Sequence, residues 1–214
     1  MKAYAFGIVS ERCSRARDRA KRCHLLRVQI RWESMKDTID TSTLRLVLKS
    51  QYHSGLAMLW EAIERCPEEL WLSTEHRNAF WQIAYHAVFF THLYLSTEVA
   101  AFRPWQGHQS AVQHPDGISG SPKPGSTLPL IPEPYTKAQT LAYWDVCDKA
   151  VDGAVDAMDL HSPQSGFPWY KMSKLEHQLV NLRHLQHHAA QLADRIRAAL
   201  DIGIRWIGTL TTTV

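Results

Sequence analysis

Four cysteines in 214 residues, with no C-x-x-C pair among them, are too few and too scattered for a disulfide framework or a zinc–cysteine site. Cys13, Cys23, Cys66 and Cys147 suit a reducing compartment, and a cytoplasmic location is expected. Long apolar runs are missing as well. The best candidate, "AFWQIAYHAVFFTHLYL", is broken by two histidines and a glutamine, and falls short of the roughly 18 to 20 apolar residues of a membrane span. It reads as a buried helix. No stretch alternates at period two, so strands are not expected, and no internal repeat is visible.

Basic charge is scarce beyond the first 34 residues. Those carry nine Lys/Arg against three Asp/Glu, whereas the rest carries fifteen against eighteen. The main body is therefore mildly acidic, with no basic stripe for a phosphate backbone, which argues against nucleic acid. The leader "SERCSRARDRAKRCHLLRVQIRWES" holds Glu11, Asp18 and Glu33, unlike an acid-poor organelle-targeting peptide, and has no apolar core of a secretion signal. Residues 1–34 are read as a peripheral basic segment. The functional domain is taken as residues 35–214, with Met35 as a natural opening.

Helical patterns fill that domain. The first spans about 43–65, with Leu48, Tyr52, Leu59 and Ile63 near helical spacing, and Pro67 ends it because proline lacks the backbone donor. The second spans about 75–102 and is apolar nearly all round, as in the most buried helix of a bundle. Residues 103–134 then hold seven prolines and four glycines, which forbid a continuous helix; a loop this long is often a lid or binding loop. A third helix starts at Thr136, capped with Gln139, and runs to about Leu160. A fourth, capped by Ser173 and Glu176, continues to about Leu200, with Gly203 just beyond. The expected fold is all-α, an antiparallel four-helix bundle with a long crossover loop between helices two and three.

Histidine is what the chain has in excess: twelve, three of them in "NLRHLQHHAAQL". At about 100° per residue, His184 and His188 share one face of the fourth helix, where two imidazoles side by side can hold one transition metal. His187 points elsewhere. His177, Asn181 and Gln191 share the face of the pair, while the apolar stripe (Leu175, Leu179, Leu182, Ala189, Ile196, Leu200) is centred more than about 100° away. That offset leaves a solvated polar side open as the plainer reading. On the second helix His86 shares a face with Ile83, Phe90 and Leu93, so it is expected to be buried and to need a partner. It is either a core histidine bonded to a carbonyl or tyrosine, or a third ligand reaching across to His184 and His188. His92, about 120° around the same helix, is assigned a structural or exposed role.

"FWQIAYHAVFFTHLYL" and "SGFPWYKMSKLEHQLVNLRHLQHHAAQL", with the spacing between them, resemble the DinB/YfiT-like metalloenzyme superfamily over about residues 40–200. The resemblance implies a bundle, commonly a homodimer, whose metal is held by one histidine of helix two and a pair on the last helix. His86, His184 and His188 match those positions, and "AAQ" ending at Gln191 matches the turn that follows. Ala189 departs from the pattern, since many members have arginine there. A neutral three-histidine site with an open position suits water activation or polarisation of a substrate oxygen, or a bound thiolate. The resemblance implies a transferase, thiol S-transferases included, or a hydrolase acting on a small molecule, with zinc or nickel ahead of iron or manganese and a low-molecular-weight thiol as possible cosubstrate. A non-catalytic, stress-associated metal-binding dimer is the alternative. Glu98 and carboxylates of the third helix are candidate bases; Tyr85, Tyr94 and Trp169 are candidate pocket walls, or core aromatics; His108 and His114 lie on the loop that would close over substrate.

Overall fold

A computed structural model describes residues 40–110, 112–114 and 133–210. The basic segment 1–34, Met35 and the middle of the proline-rich connection lie outside the described residues. Residues 41–210 form the described part of one unit, and every regular element in it is helical. In order they are α1 (Thr41–Arg65), α2 (Glu68–Trp71), α3 (Phe80–Leu95), a 3₁₀ turn (Val99–Ala101), α4 (Lys137–Ala157) and α5 (Lys174–Leu200). No helix among the described residues is long and apolar enough to cross a membrane.

Local chemistry explains most boundaries. Thr136 accepts the Gln139 backbone N–H, and Gln139 Oε1 accepts the Thr136 N–H at 2.9 Å, so two orphan donors of α4 are satisfied. Ser173 likewise accepts the Glu176 N–H at the start of α5. Pro67 ends α1 as expected, and then itself precedes the short α2, which the sequence pattern does not announce. α5 stops at Leu200 because Asp201 takes the left-handed conformation at φ 54°, two residues ahead of the glycine expected there. The chain then folds back, and Gln51 donates to the Gly208 carbonyl at 3.0 Å.

The second helix is shorter than its apolar pattern. At its start Gln82 Oε1 accepts the Ala79 N–H at 2.7 Å, fixing the first turn there instead of near residue 75. At its end the backbone turns extended at Ser96 and is captured from outside. Val99 N–H bonds the Gly166 carbonyl, and Lys174 Nζ bonds the Thr97 carbonyl at 2.6 Å. Gly166 sits at φ 86°, against the Thr97 carbonyl, where a side chain would collide. Tertiary contacts thus outweigh helix propensity over 96–102.

Four long helices make the principal contacts: α1 with α4 and α5, and α3 with α4 and α5. Leu56 meets Trp144 and Lys49 meets Asp156, so α1 and α4 run in opposite directions. Thr91 meets Asn181 and His86 meets His184, so α3 opposes α5. Tyr52 meets Gln178 and Gly55 lies on Leu185, so α1 and α5 run the same way. A Cβ at position 55 would stand 2.9 Å from Leu185 Cδ2, which is why this close approach takes glycine.

α5 turns a different face inward from the one its leucines suggest. Leu179 and Leu200 are 51% and 42% exposed, whereas His177, Gln178 and Asn181 are fully buried. Their partners account for it. Tyr52 Oη donates to Gln178 Oε1 at 2.7 Å; Asn181 Nδ2 donates to Tyr52 Oη and the Thr91 carbonyl; Gln178 Nε2 donates to the Tyr94 carbonyl. Amide groups with such partners cost little to bury, so Gln178 and the Asn181 Nδ2 can lie inside. Below it Leu185, Ala189, Leu192 and Ile196 continue the buried face in apolar form.

Candidate metal centre

The inward turn of α5 carries His184 and His188 toward α3, where His86 projects to meet them. His184 Nε2 lies 3.0 Å from His86 Nε2 and 3.2 Å from His188 Nε2. All three side chains are half-buried, and together they form the one group of metal-ligating side chains found among the described residues. The surface reading of the α5 histidines is thereby excluded for this pair. His187 is exposed and outside the cluster, although its ring lies 4.9 Å from that of His188.

Two of the three rings are oriented from behind. His86 Nδ1 donates to the Gln113 backbone carbonyl at 2.6 Å, and His188 Nδ1 faces Gln191 Oε1 at 3.1 Å. Both acceptors place the proton on Nδ1, which turns each Nε2 lone pair inward. Lone pairs that converge so closely repel one another unless a proton or cation lies between them. Burial, followed by the neighbouring His188, His86 and His187, pushes the His184 pKa down to about 3, so its ring stays neutral.

Nitrogens bound to one ion at ~2.0–2.1 Å stand about 2.9 Å apart at right angles and about 3.4 Å apart at tetrahedral angles. The 3.0 and 3.2 Å separations lie inside that interval. An all-imidazole donor set also matches zinc, nickel and related divalent ions better than calcium or magnesium, which prefer oxygen. The residues present fit a metal.

The connection after α3 supplies the cap. His108 stacks on Tyr85 and Phe89, and its Nδ1 lies 2.7 Å from Tyr85 Oη. Tyr135 Oη donates to the Gly107 carbonyl and accepts the Gln109 N–H. With Val112 buried, these anchors carry Gln113 over His86 and set His114 5.6 Å from the Phe90 ring, which in turn flanks His86 and His184.

The other sequence candidates are placed elsewhere. Tyr85, on α3, anchors the loop through His108, and Tyr94 belongs to a box with Phe167, Tyr170 and His177. Trp169 is half exposed, its Nε1 3.4 Å from Tyr94 Oη. Glu98 lines a surface pocket with Thr97, Asp159 and Lys174 that none of the three histidines reaches. On α4, Asp148 and Asp152 clamp His53, and Asp156 pairs with Lys49. Among the described residues no carboxylate joins the histidine cluster. His92 is structural, its Nδ1 3.1 Å from Tyr143 Oη. Ala189 is buried, leaving the outer contact with His188 to Gln191. Gln191 could be found from its i+3 spacing to His188, but Gln113 acts through its backbone and leaves no sequence signal.

The sequence matches the DinB superfamily across residues 51–192, well over half of the chain, and the match encloses all three histidines. No curated protein and no solved structure matches the chain significantly.

Proposed function

Since the chain belongs to the DinB superfamily, we propose that His86, His184 and His188 hold a divalent metal in an enzyme of transferase or hydrolase type acting on a small molecule. The observation that carries this reading is the convergence of three imidazole Nε2 atoms, two of them aimed by acceptors behind their rings. Three neutral ligands leave the ion its full charge, and the metal when bound would supply Lewis acidity toward a substrate oxygen or a thiol.

The chain's own residues do the rest. Gln113 and Gln191 hold two ligands in one tautomer, Phe90 walls the site with apolar surface, and His114 lies against Phe90 at its edge. Half-burial of the three rings supports access for a substrate, which favours the enzyme over a purely metal-holding protein. Imidazole donors support zinc or nickel ahead of iron or manganese. A low-molecular-weight thiol as cosubstrate, and hence thiol S-transfer, is one form of the proposal, and a homodimer belongs to it as well. The helix directions support a four-helix bundle in which the proline-rich connection is the crossover between α3 and α4, with α1 parallel to α5 and α3 parallel to α4. The free, buried Cys66 and Cys147 support a cytoplasmic setting.

Metal content of the purified protein beside His188→Ala, after supplementation with zinc or nickel, tests the reading. About one equivalent in the first and a small fraction of that in the second is expected; equal, near-zero content in both would overturn it.

A further inference from the structure

Each metal-binding imidazole needs an acceptor for its second nitrogen, because that bond fixes the tautomer and the ring orientation. His86 has the Gln113 carbonyl and His188 has the Gln191 side chain. His184 Nδ1 is buried and has no hydrogen-bond partner among the described residues.

A buried acceptor in the same condition stands one turn earlier on the same face. Asn181 is fully buried; its Nδ2 serves Tyr52 Oη and the Thr91 carbonyl, but its Oδ1 has no partner among the described residues. Helical side chains lean toward the N-terminus, so His184 lies over the turn that carries Asn181. Side chains three apart on a helix have Cβ atoms about 5–6 Å apart, a span one water closes. A third buried atom follows at the next turn. His177 Nδ1 faces the Gln178 amide, which leaves Nε2 to carry the proton, and this donor is also without a partner among the described residues. The stripe therefore presents donor, acceptor, donor at 184, 181 and 177. A water there would have the two to four polar partners that hold it in place.

We propose that Asn181 is the positioning residue for the third ligand. An ordered water accepts from His184 Nδ1–H and donates to Asn181 Oδ1, and His177 Nε2–H reaches the same amide oxygen through a second water. The inference rests on the metal reading above, and extends it to a residue outside the ligand set.

Zinc affinity measured by chelator competition on wild type, Asn181→Leu and Tyr52→Phe tests it. Tyr52→Phe is the control, since it removes a bond to Asn181 Nδ2 and leaves Oδ1 untouched. Asn181→Leu should weaken zinc about 10- to 100-fold, while Tyr52→Phe changes it by less than about threefold. Unchanged affinity in Asn181→Leu, or an equal loss in both variants, would overturn the proposal while leaving the metal site standing. A wild type that takes up no zinc would instead overturn the metal reading itself. A measurement without substitution is ¹⁵N-histidine NMR of the zinc form. His184 Nδ1–H should show a contact to a long-lived water, and its absence contradicts the proposal even if Asn181→Leu does not fold.

Discussion

His188 Nδ1 stands 3.1 Å from Gln191 Oε1, one turn along the same helix. A histidine and an amide three residues apart meet on a helix surface, so α5 builds both a metal ligand and its support from a single stretch of sequence. Because the Gln191 oxygen accepts, the ring keeps its other nitrogen for the shared point with His184 and His86.

That relationship predicts the effect of Gln191→Leu. The half-buried side chain contributes little to the core, so stability should change by less than about 1 kcal/mol. Zinc affinity should fall about 10- to 100-fold, as for other losses of an outer partner. Competition titration beside a thermal melt separates the two effects.

His86→Ala should abolish tight metal binding while the helices persist, since the ring is half-buried and its removal leaves one unpaired carbonyl at Gln113. Circular dichroism should stay helical, and metal content should drop to background.

Lys174 is buried at the start of α5, and its ammonium bonds the Thr97 and Ser165 carbonyls. Lys174→Met leaves both acceptors without that donor and should cost about 1–3 kcal/mol in urea unfolding. Zinc affinity should not move, because the clasp lies ten residues from His184. A loss of affinity equal to that of Gln191→Leu would contradict the separation of clasp and site.

Acid should weaken the metal-free fold through His177. Burial, with Lys174 nearby as the smaller cause, pushes its pKa down to about 4 from an ordinary 6.5. The unfolded chain therefore binds the proton more readily between those values, so this contribution is complete above about 6.5 and is lost as pH falls toward 4. The effect is on the order of 3 kcal/mol. Urea midpoints from pH 7 to 4, with chelator present, should fall less steeply for His177→Phe than for wild type.

Much of this was legible before any coordinates. The apolar run around His86 could only be a buried helix, and a histidine within it had to find a partner. The i, i+4 spacing put His184 and His188 side by side, and Thr136 with Gln139 fixed the start of α4. The inside and outside of α5 were legible only in part: Ala189 and Ile196 of the apolar stripe are buried, but Leu179 and Leu200 are exposed. Leucine positions pointed to one face, but Tyr52, Thr91 and Tyr94 offer bonds that draw Gln178 and Asn181 inward, and no pattern on α5 alone can reveal those partners. α3 stops short of its apolar pattern at the C-terminal end for a related reason: Gly166 and Lys174, far along the chain, take up the backbone that propensity would have left helical.

The most direct test of the central claim is a crystal of the zinc-loaded protein measured at the zinc absorption edge. An anomalous peak about 2.0–2.1 Å from the Nε2 atoms of His86, His184 and His188 together is the result expected. A peak confined to His53 with Asp148 and Asp152, or none at the three histidines under saturating zinc, would contradict the account.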